Sequence, residues 1–156
     1  MTRVMLVALF FVGVLVFQSP APLSRSDFVL RGLTYGTDPQ TVRNTLGLPD
    51  STRAGRPDEG DCWYHWFYRD LTVNFPSEHG PVLDFNLTGP SKTTRRGLRI
   101  GDRAERVQLL YGEASSTAGG YWVYPLGTDS SVQLVVALDA FQRVRAVTFG
   151  RLLDCD

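Results

Sequence analysis

Hydrophobic and polar positions along this chain change period twice, and each change repeats. After Gly36, Val42 and Leu46 stand four apart with polar residues between them, which is the spacing of one helix face. Thr37 or Asp38 can cap that helix, Pro39 suits its first turn and Gly47 suits its stop. The period then drops to two, and residues 62–68, 71–75 and 82–87 read as strands divided by the turns "YRDL" and "PSEHGP". The succession recurs downstream. Asp102 is the expected cap of a second helix, Val107, Leu110 and Tyr111 are its apolar stripe, and Gly112 ends it. Strands over 120–124, 132–138 and 143–149 follow, with "LGTDS" and "DAFQR" between them. Connections this short imply antiparallel neighbours.

The recurrence can be read position by position. "GLTYGTDPQTVRNTLG" aligns with "GLRIGDRAERVQLLYG" at an offset of 65, placing Gly32, Leu33, Gly36, Val42 and Gly47 on Gly97, Leu98, Gly101, Val107 and Gly112. Residues 71–75 and 82–87 align with 134–138 and 144–149 at slightly smaller offsets, as loops a few residues shorter would require. A period this long suits a duplicated small unit rather than a solenoid. The expectation is an α+β fold of two tandem helix-plus-three-strand units, residues 28–89 and 94–153, whose strands line one antiparallel sheet or two abutting ones.

The glycine-bounded helix followed by three strands resembles the helix-plus-sheet unit of the SmpA/OmlA-type outer-membrane lipoproteins. Its tandem duplication resembles the beta-lactamase inhibitory protein family. The resemblance spans about residues 30–150 and implies a fold and, by analogy with the duplicated inhibitors, a binding role. The chain has no cysteine near residue 20 to carry a lipid, unlike the lipoproteins.

The N-terminus gives the chain an address. Arg3 precedes an uncharged run over residues 4–17, followed by "QSPAP", which reads as a secretory signal occupying residues 1–22. The run is shorter than the roughly 20 apolar residues that cross a bilayer. Ser19-Pro20-Ala21 supplies small residues for cleavage but Pro22 would follow the cut, so an uncleaved N-terminal anchor is the alternative, and membrane contact is expected only through this segment. An extracytoplasmic location, periplasmic, secreted or envelope-associated, follows. In an oxidising compartment Cys62 and Cys155, the two cysteines of the chain, are expected to form a structural bridge. Closing a loop of roughly 90 residues, it would add about 4 to 5 kcal/mol in the chain-entropy model.

Charge excludes some partners. Sixteen basic and sixteen acidic residues cancel, so no bulk field favours nucleic acid. The glycine pairs lack the Lys-Ser/Thr or G-x-G-x-x-G pattern of a phosphate loop, and Asp38 or Asp102 would oppose a phosphate. His65 and His79 stand in no nucleophile motif. Asp58, Glu59 and Asp61 lack the alternating donors of a calcium loop and read as a solvated turn. Asn86-Leu87-Thr88 matches a glycosylation sequon, which matters only in a eukaryotic host. No enzyme, cofactor or metal site is therefore expected.

Aromatic residues are the informative chemistry. "CWYHWFY" concentrates five aromatics over residues 62–68, and the second unit answers with Tyr121, Trp122 and Tyr124. Alternation along a strand puts aromatics on both faces, so one set is core and the other lies on a sheet face whose neighbours include Thr72, Asn74, Asp84, Asn86, Gln133 and Arg145. Tyr64, Trp66 and Tyr68, with Tyr121, Trp122 and Tyr124, are assigned to the exposed face, as an anchor surface for another protein. The expected function is non-enzymatic protein binding, with inhibition of the partner as one form of it; the alternative is an envelope structural or assembly factor held by its N-terminal segment.

Overall fold

The computed structural model describes residues 19–152 apart from 57, 59 and 62. Two helices, α1 (Pro39–Leu46) and α2 (Ala104–Tyr111), pack against one seven-stranded antiparallel sheet, which makes the fold α+β. The strands are β1 (Ser51–Ala54), β2 (Tyr64–Tyr68), β3 (Leu71–Phe75), β4 (Asp84–Leu87), β5 (Tyr121–Leu126), β6 (Asp129–Leu138) and β7 (Val144–Arg151). Their order is β1-β2-β3-β4-β7-β6-β5. The sheet is thus continuous, and the pairing of β4 with β7 joins its two halves.

The first helix forms as its sequence dictates. Asp38 accepts the Thr41 amide at 2.9 Å and the Thr41 hydroxyl at 2.6 Å, Pro39 opens the helix, and the Gly47 amide closes it on the Arg43 carbonyl. These bonds hold the Asp38 carboxyl below its usual range. The second helix starts differently from expectation. Its N-cap is Arg103, without a side-chain cap, and the Ala104 amide is satisfied by the Gln142 carbonyl at 2.9 Å. Asp102 instead turns back to accept the Arg99 amide at 2.8 Å, so it closes the preceding turn. Tertiary contact has replaced local capping.

Seven strands are present where the sequence implied six. The addition, β1, is exposed at every position, and an edge strand with no buried face leaves no alternation to read. Its partner is β2, with Arg53 opposite His65 and Ser51 opposite Phe67.

The helix-covered face of the sheet is two apolar rows. One runs Trp66, Val73, Phe85, Phe149, Leu134, Tyr124 across neighbouring strands, and the next runs Tyr68, Leu71, Leu87, Val147, Val136, Trp122. Val42 of α1 and Val107 and Tyr111 of α2 belong to the same buried cluster. Phe85 and Phe149 stack at 5.4 Å across the central pairing, and Trp66 meets Phe75 at 4.6 Å. Neighbouring apolar side chains one strand apart supply the continuous burial that holds the two halves together.

Residues 20–27 lie against the second half through one arginine. Arg96 donates from Nε and Nη2 to the two carboxylate oxygens of Asp27 at 2.7 and 2.8 Å. Its remaining donors reach the carbonyls of Ala21, Pro22 and Leu110 at 2.8 to 3.0 Å. The guanidinium also lies 5.2 Å over the Tyr111 ring.

Candidate functional site

The sheet alternation assigns the aromatics differently from the sequence-based expectation. Trp66 is fully buried (0% exposed), and it stands in the apolar row beneath the helices with Arg43 4.7 Å above its ring. Tyr64 and Tyr68 share that face and are half-buried. Trp122 and Tyr124 lie on the same covered face in β5. Of the six residues assigned to a partner surface, only Tyr121 is on the open face, at 46% exposure. The reason is the polar set on the neighbouring strands, which fixes the opposite side as the solvent face and leaves the Trp66 side to the helices.

Two of these tyrosines have a specific structural task. The Tyr68 hydroxyl donates to the Gly47 carbonyl and the Tyr124 hydroxyl to the Gly112 carbonyl, each at 3.2 Å. Gly47 and Gly112 are the residues that end α1 and α2. Each helix therefore ends on a phenol from the sheet, which satisfies a carbonyl group at a helix end that lacks an intrahelical partner. Burial pushes both phenols up to about 12.

The open face carries a row of polar residues reading Arg53, His65, Asn74, Asp84, Gly150 and Gln133 across successive strands. Four groups are linked in series. Asp61 Oδ1 lies 2.8 Å from His65 Nε2, His65 Nδ1 lies 2.7 Å from Asn74 Oδ1, and Asn74 Nδ2 donates to Asp84 Oδ1 at 2.7 Å. Arg53 closes the outer end on Asp61 Oδ2 at 3.2 Å.

Donor bookkeeping fixes the direction of the chain. Because Asn74 donates its amide N–H to Asp84, its oxygen must accept from His65 Nδ1, and Nε2 faces a carboxylate. Burial raises Asp84 to about 6, against the Asn74 hydrogen bond and the His65 charge, which oppose the rise. For Asp61 burial also pushes upward, but the His65 hydrogen bond and charge, the Trp63 amide and Arg53 outweigh it and the net shift is downward.

Asp61 was expected to be a solvated turn residue and is instead held on two sides. Asp58 and His79 are exposed as a solvated turn requires, while Glu59, Cys62 and Cys155 lie outside the described residues, as do residues 1–18 of the N-terminal segment. No group of three His, Cys, Asp or Glu side chains that could hold a metal ion occurs among the described residues. Nor is any described helix long and apolar enough to cross a membrane.

Next to the polar row on the open face runs a mixed one: Phe67, Thr72, Asn86, Thr148, Val135 and Val123. All of its members are half-buried. Arg53 lies 5.7 Å over the Phe67 ring at one end, and at the other Arg145 sits 5.4 Å over Tyr121 and donates to its hydroxyl at 2.8 Å.

No family model matches the chain, and no curated protein does. Solved structures do. An extracellular protein containing an SCP domain from Bacillus anthracis matches with a TM-score of 0.53 and 16% identity, over 86% of this chain and 49% of that one. A DUF4309 family protein from Bacillus subtilis matches at 0.52 and 15%, over 78% and 83%. A cysteine-rich secretory protein from Staphylococcus aureus matches at 0.50 and 15%, over 85% and 50%. The chain shares their fold. It spans about half the length of the first and third. These neighbours replace the resemblance to SmpA/OmlA lipoproteins and to the beta-lactamase inhibitory proteins, which rested on helix punctuation that different sheets can share.

Proposed function

We propose that this chain is an extracytoplasmic, non-enzymatic protein-binding module that works through the open face of its sheet. The observation that carries the reading is that both helices cover one face, leaving the row from Phe67 to Val123 on the other, half-buried, with two arginine-covered rings, Phe67 and Tyr121, at its ends. A mixed strip of Phe, Val, Thr and Asn bordered by Arg and Tyr has the composition of a recognition surface. The non-enzymatic part is supported by His65, whose two ring nitrogens are used within the protein on Asn74 and Asp61. The location is supported by the sequence of residues 1–22 and by fold neighbours described as extracellular or secretory. Those neighbours also support a modular role, since the chain corresponds to only about half of two larger proteins.

The test is capture from an extracellular or envelope fraction with the full chain as bait, repeated with Val123→Asp and Phe67→Asp. A stoichiometric partner retained by the native chain and lost by both variants is the expected result. Retention by both variants would remove the open face from consideration.

A second reading, an envelope structural factor retained by an uncleaved N-terminal segment, draws support from Arg96, which binds the carbonyls of Ala21 and Pro22 on either side of the expected cleavage bond. Fractionation decides it: full-length chain in the membrane fraction is the expected outcome for the anchor. We further infer that the two helix-and-strand units are copies and that Cys62 and Cys155 are bridged. The matched glycines at offset 65 and the paired tyrosine-to-helix-end bonds support the first. An intact-mass measurement without reductant that finds two free thiols would dispose of the second.

A further inference from the structure

Away from the open face, one cleft has walls of a single charge sign. It encloses about 460 Å³ and is lined by Arg31, Lys92 and Arg95 together with the hydroxyl side chains of Ser91 and Thr93, with no carboxylate among its lining residues. A neighbouring hollow of about 230 Å³ shares Arg31 and Lys92 and adds Arg69, with Asp50 as its one acid. Asp70 lies close by, its carboxylate accepting the Ser91 amide at 3.2 Å and interacting with Arg69 and Lys92. Four cations thus stand against two acids in a chain whose formal net charge is zero. None of the four forms an ion pair among the described residues.

Arg31 is also held in a conformation that its side chain does not favour. Leu30 and Leu33 exchange both backbone hydrogen bonds, at 2.8 and 2.9 Å, around a two-residue turn in which Arg31 has φ 51° and Gly32 φ 85°. Such turns favour Asn, Asp or Gly, and a long side chain at positive φ costs about 1 kcal/mol. Among the described residues the Arg31 side chain makes no hydrogen bond or ion pair in return. Arg96 precedes Gly97 as Arg31 precedes Gly32, and every one of its donors is used to hold residues 21–27 and α2. Of these two arginines that precede a glycine, Arg96 is consumed by the fold and Arg31 lines the cleft. Backbone strain without a structural return points to a ligand.

We propose that this cleft binds a linear chain of phosphate groups, laid from Arg95 past Lys92 and Arg31 to Arg69. Guanidinium groups match phosphate oxygens two at a time, and the Ser91 and Thr93 hydroxyls donate to those that remain. Two joined hollows sharing their central cations suit consecutive phosphates better than one isolated anion. The proposal uses no residue of the open face, so it stands or falls separately from the protein-binding reading.

Calorimetric titration of the full chain with sodium tripolyphosphate, with inorganic phosphate and with phosphatidylglycerol vesicles tests it. Tripolyphosphate should bind at least about tenfold more tightly than inorganic phosphate, as one further charge-assisted contact provides. Arg31→Gly should weaken tripolyphosphate binding by about tenfold while raising the melting temperature, because glycine relieves the turn. Lys92→Gln should weaken it comparably, and Arg145→Gln, on the open face, should leave it unchanged. Equal weakening by Arg145→Gln would show a diffuse charge effect and overturn the site. Absence of tripolyphosphate binding would overturn it too, as would binding confined to the vesicles, which would mark a lipid-headgroup surface instead.

Discussion

Arg96 and Asp27, 69 residues apart in sequence, meet in a two-pronged ion pair in which Asp27 is buried and Arg96 half-buried. Each partner answers the other: burial pushes Asp27 up, yet the hydrogen bonds from Arg96 and Ser24 bring it below its usual range, and Asp27 raises Arg96. Removing one partner strands the other. Arg96→Ala should lower unfolding stability by about 3 kcal/mol, read by chemical denaturation. Arg96→Lys should recover little of it, because an ammonium cannot reproduce five donors in a plane.

The buried carboxylate of the open face makes a prediction of opposite pH sense. Asp84 is raised in the folded state to about 6 from 3.8, so its contribution is fully present below the unfolded value and is lost as pH rises through the folded one. Stability should fall between about pH 4 and pH 6 by at most about 3 kcal/mol from this group. The groups around it are Asn74 on β3, His65 on β2, Asp61 and Arg53 beyond them, and Gly150 on β7. Asp61 and Asp27, both lowered, act below that window, where their stabilisation is lost on acidification. Asp84→Asn should flatten the slope from pH 4 to 6 and raise stability at neutral pH; an unchanged slope would move the titration elsewhere.

The two sides of the sheet should separate by measurement. Trp66→Ala removes a fully buried indole and should cost about 3 to 5 kcal/mol. Trp66→Phe should cost less, since Trp66 Nε1 has no hydrogen-bond partner among the described residues and its loss leaves nothing unsatisfied. Tyr121→Ala, by contrast, should change stability by less than about 1 kcal/mol. Thermal denaturation of the three variants distinguishes core from surface, and similar losses for Tyr121 and Trp66 would contradict the assignment.

Gly150 faces Asp84 where the halves of the sheet join. A Cβ there would come within 2.4 Å of the Leu83 carbonyl oxygen and 2.7 Å of the Asp84 Cα, at φ 140°. Both obstacles are backbone or nearly so and cannot swing aside. Gly150→Ala should therefore destabilise by more than about 2 kcal/mol, or displace Asp84 enough to alter the pH profile above; a neutral effect would mean that β4 and β7 part easily.

Local signals were legible in the sequence. Asp38, Pro39 and Gly47 bound α1 where they implied, and residues 71–75 form β3 without adjustment. The strand β1 was not legible, because exposed Ser51, Thr52, Arg53 and Ala54 carry no burial pattern. The faces were harder. Alternation said that aromatics occupy both sides of β2, but which side the helices cover depends on how α1 lands on the sheet, a long-range property. The chain from Asp61 to Asp84 was illegible for the same reason, since its members come from a loop and three strands. Asn74 and Asp84 were visible as polar alternates, which was the one signal available.

The placement of the last strand also matters for mechanical load. β7 lies inside the sheet between β4 and β6, whereas residues 21–27 are fastened at α2 by Arg96. A pull arriving from upstream of residue 20 meets that arginine before it reaches any strand. The clamp would then give way first, as a weak link that leaves the sheet intact.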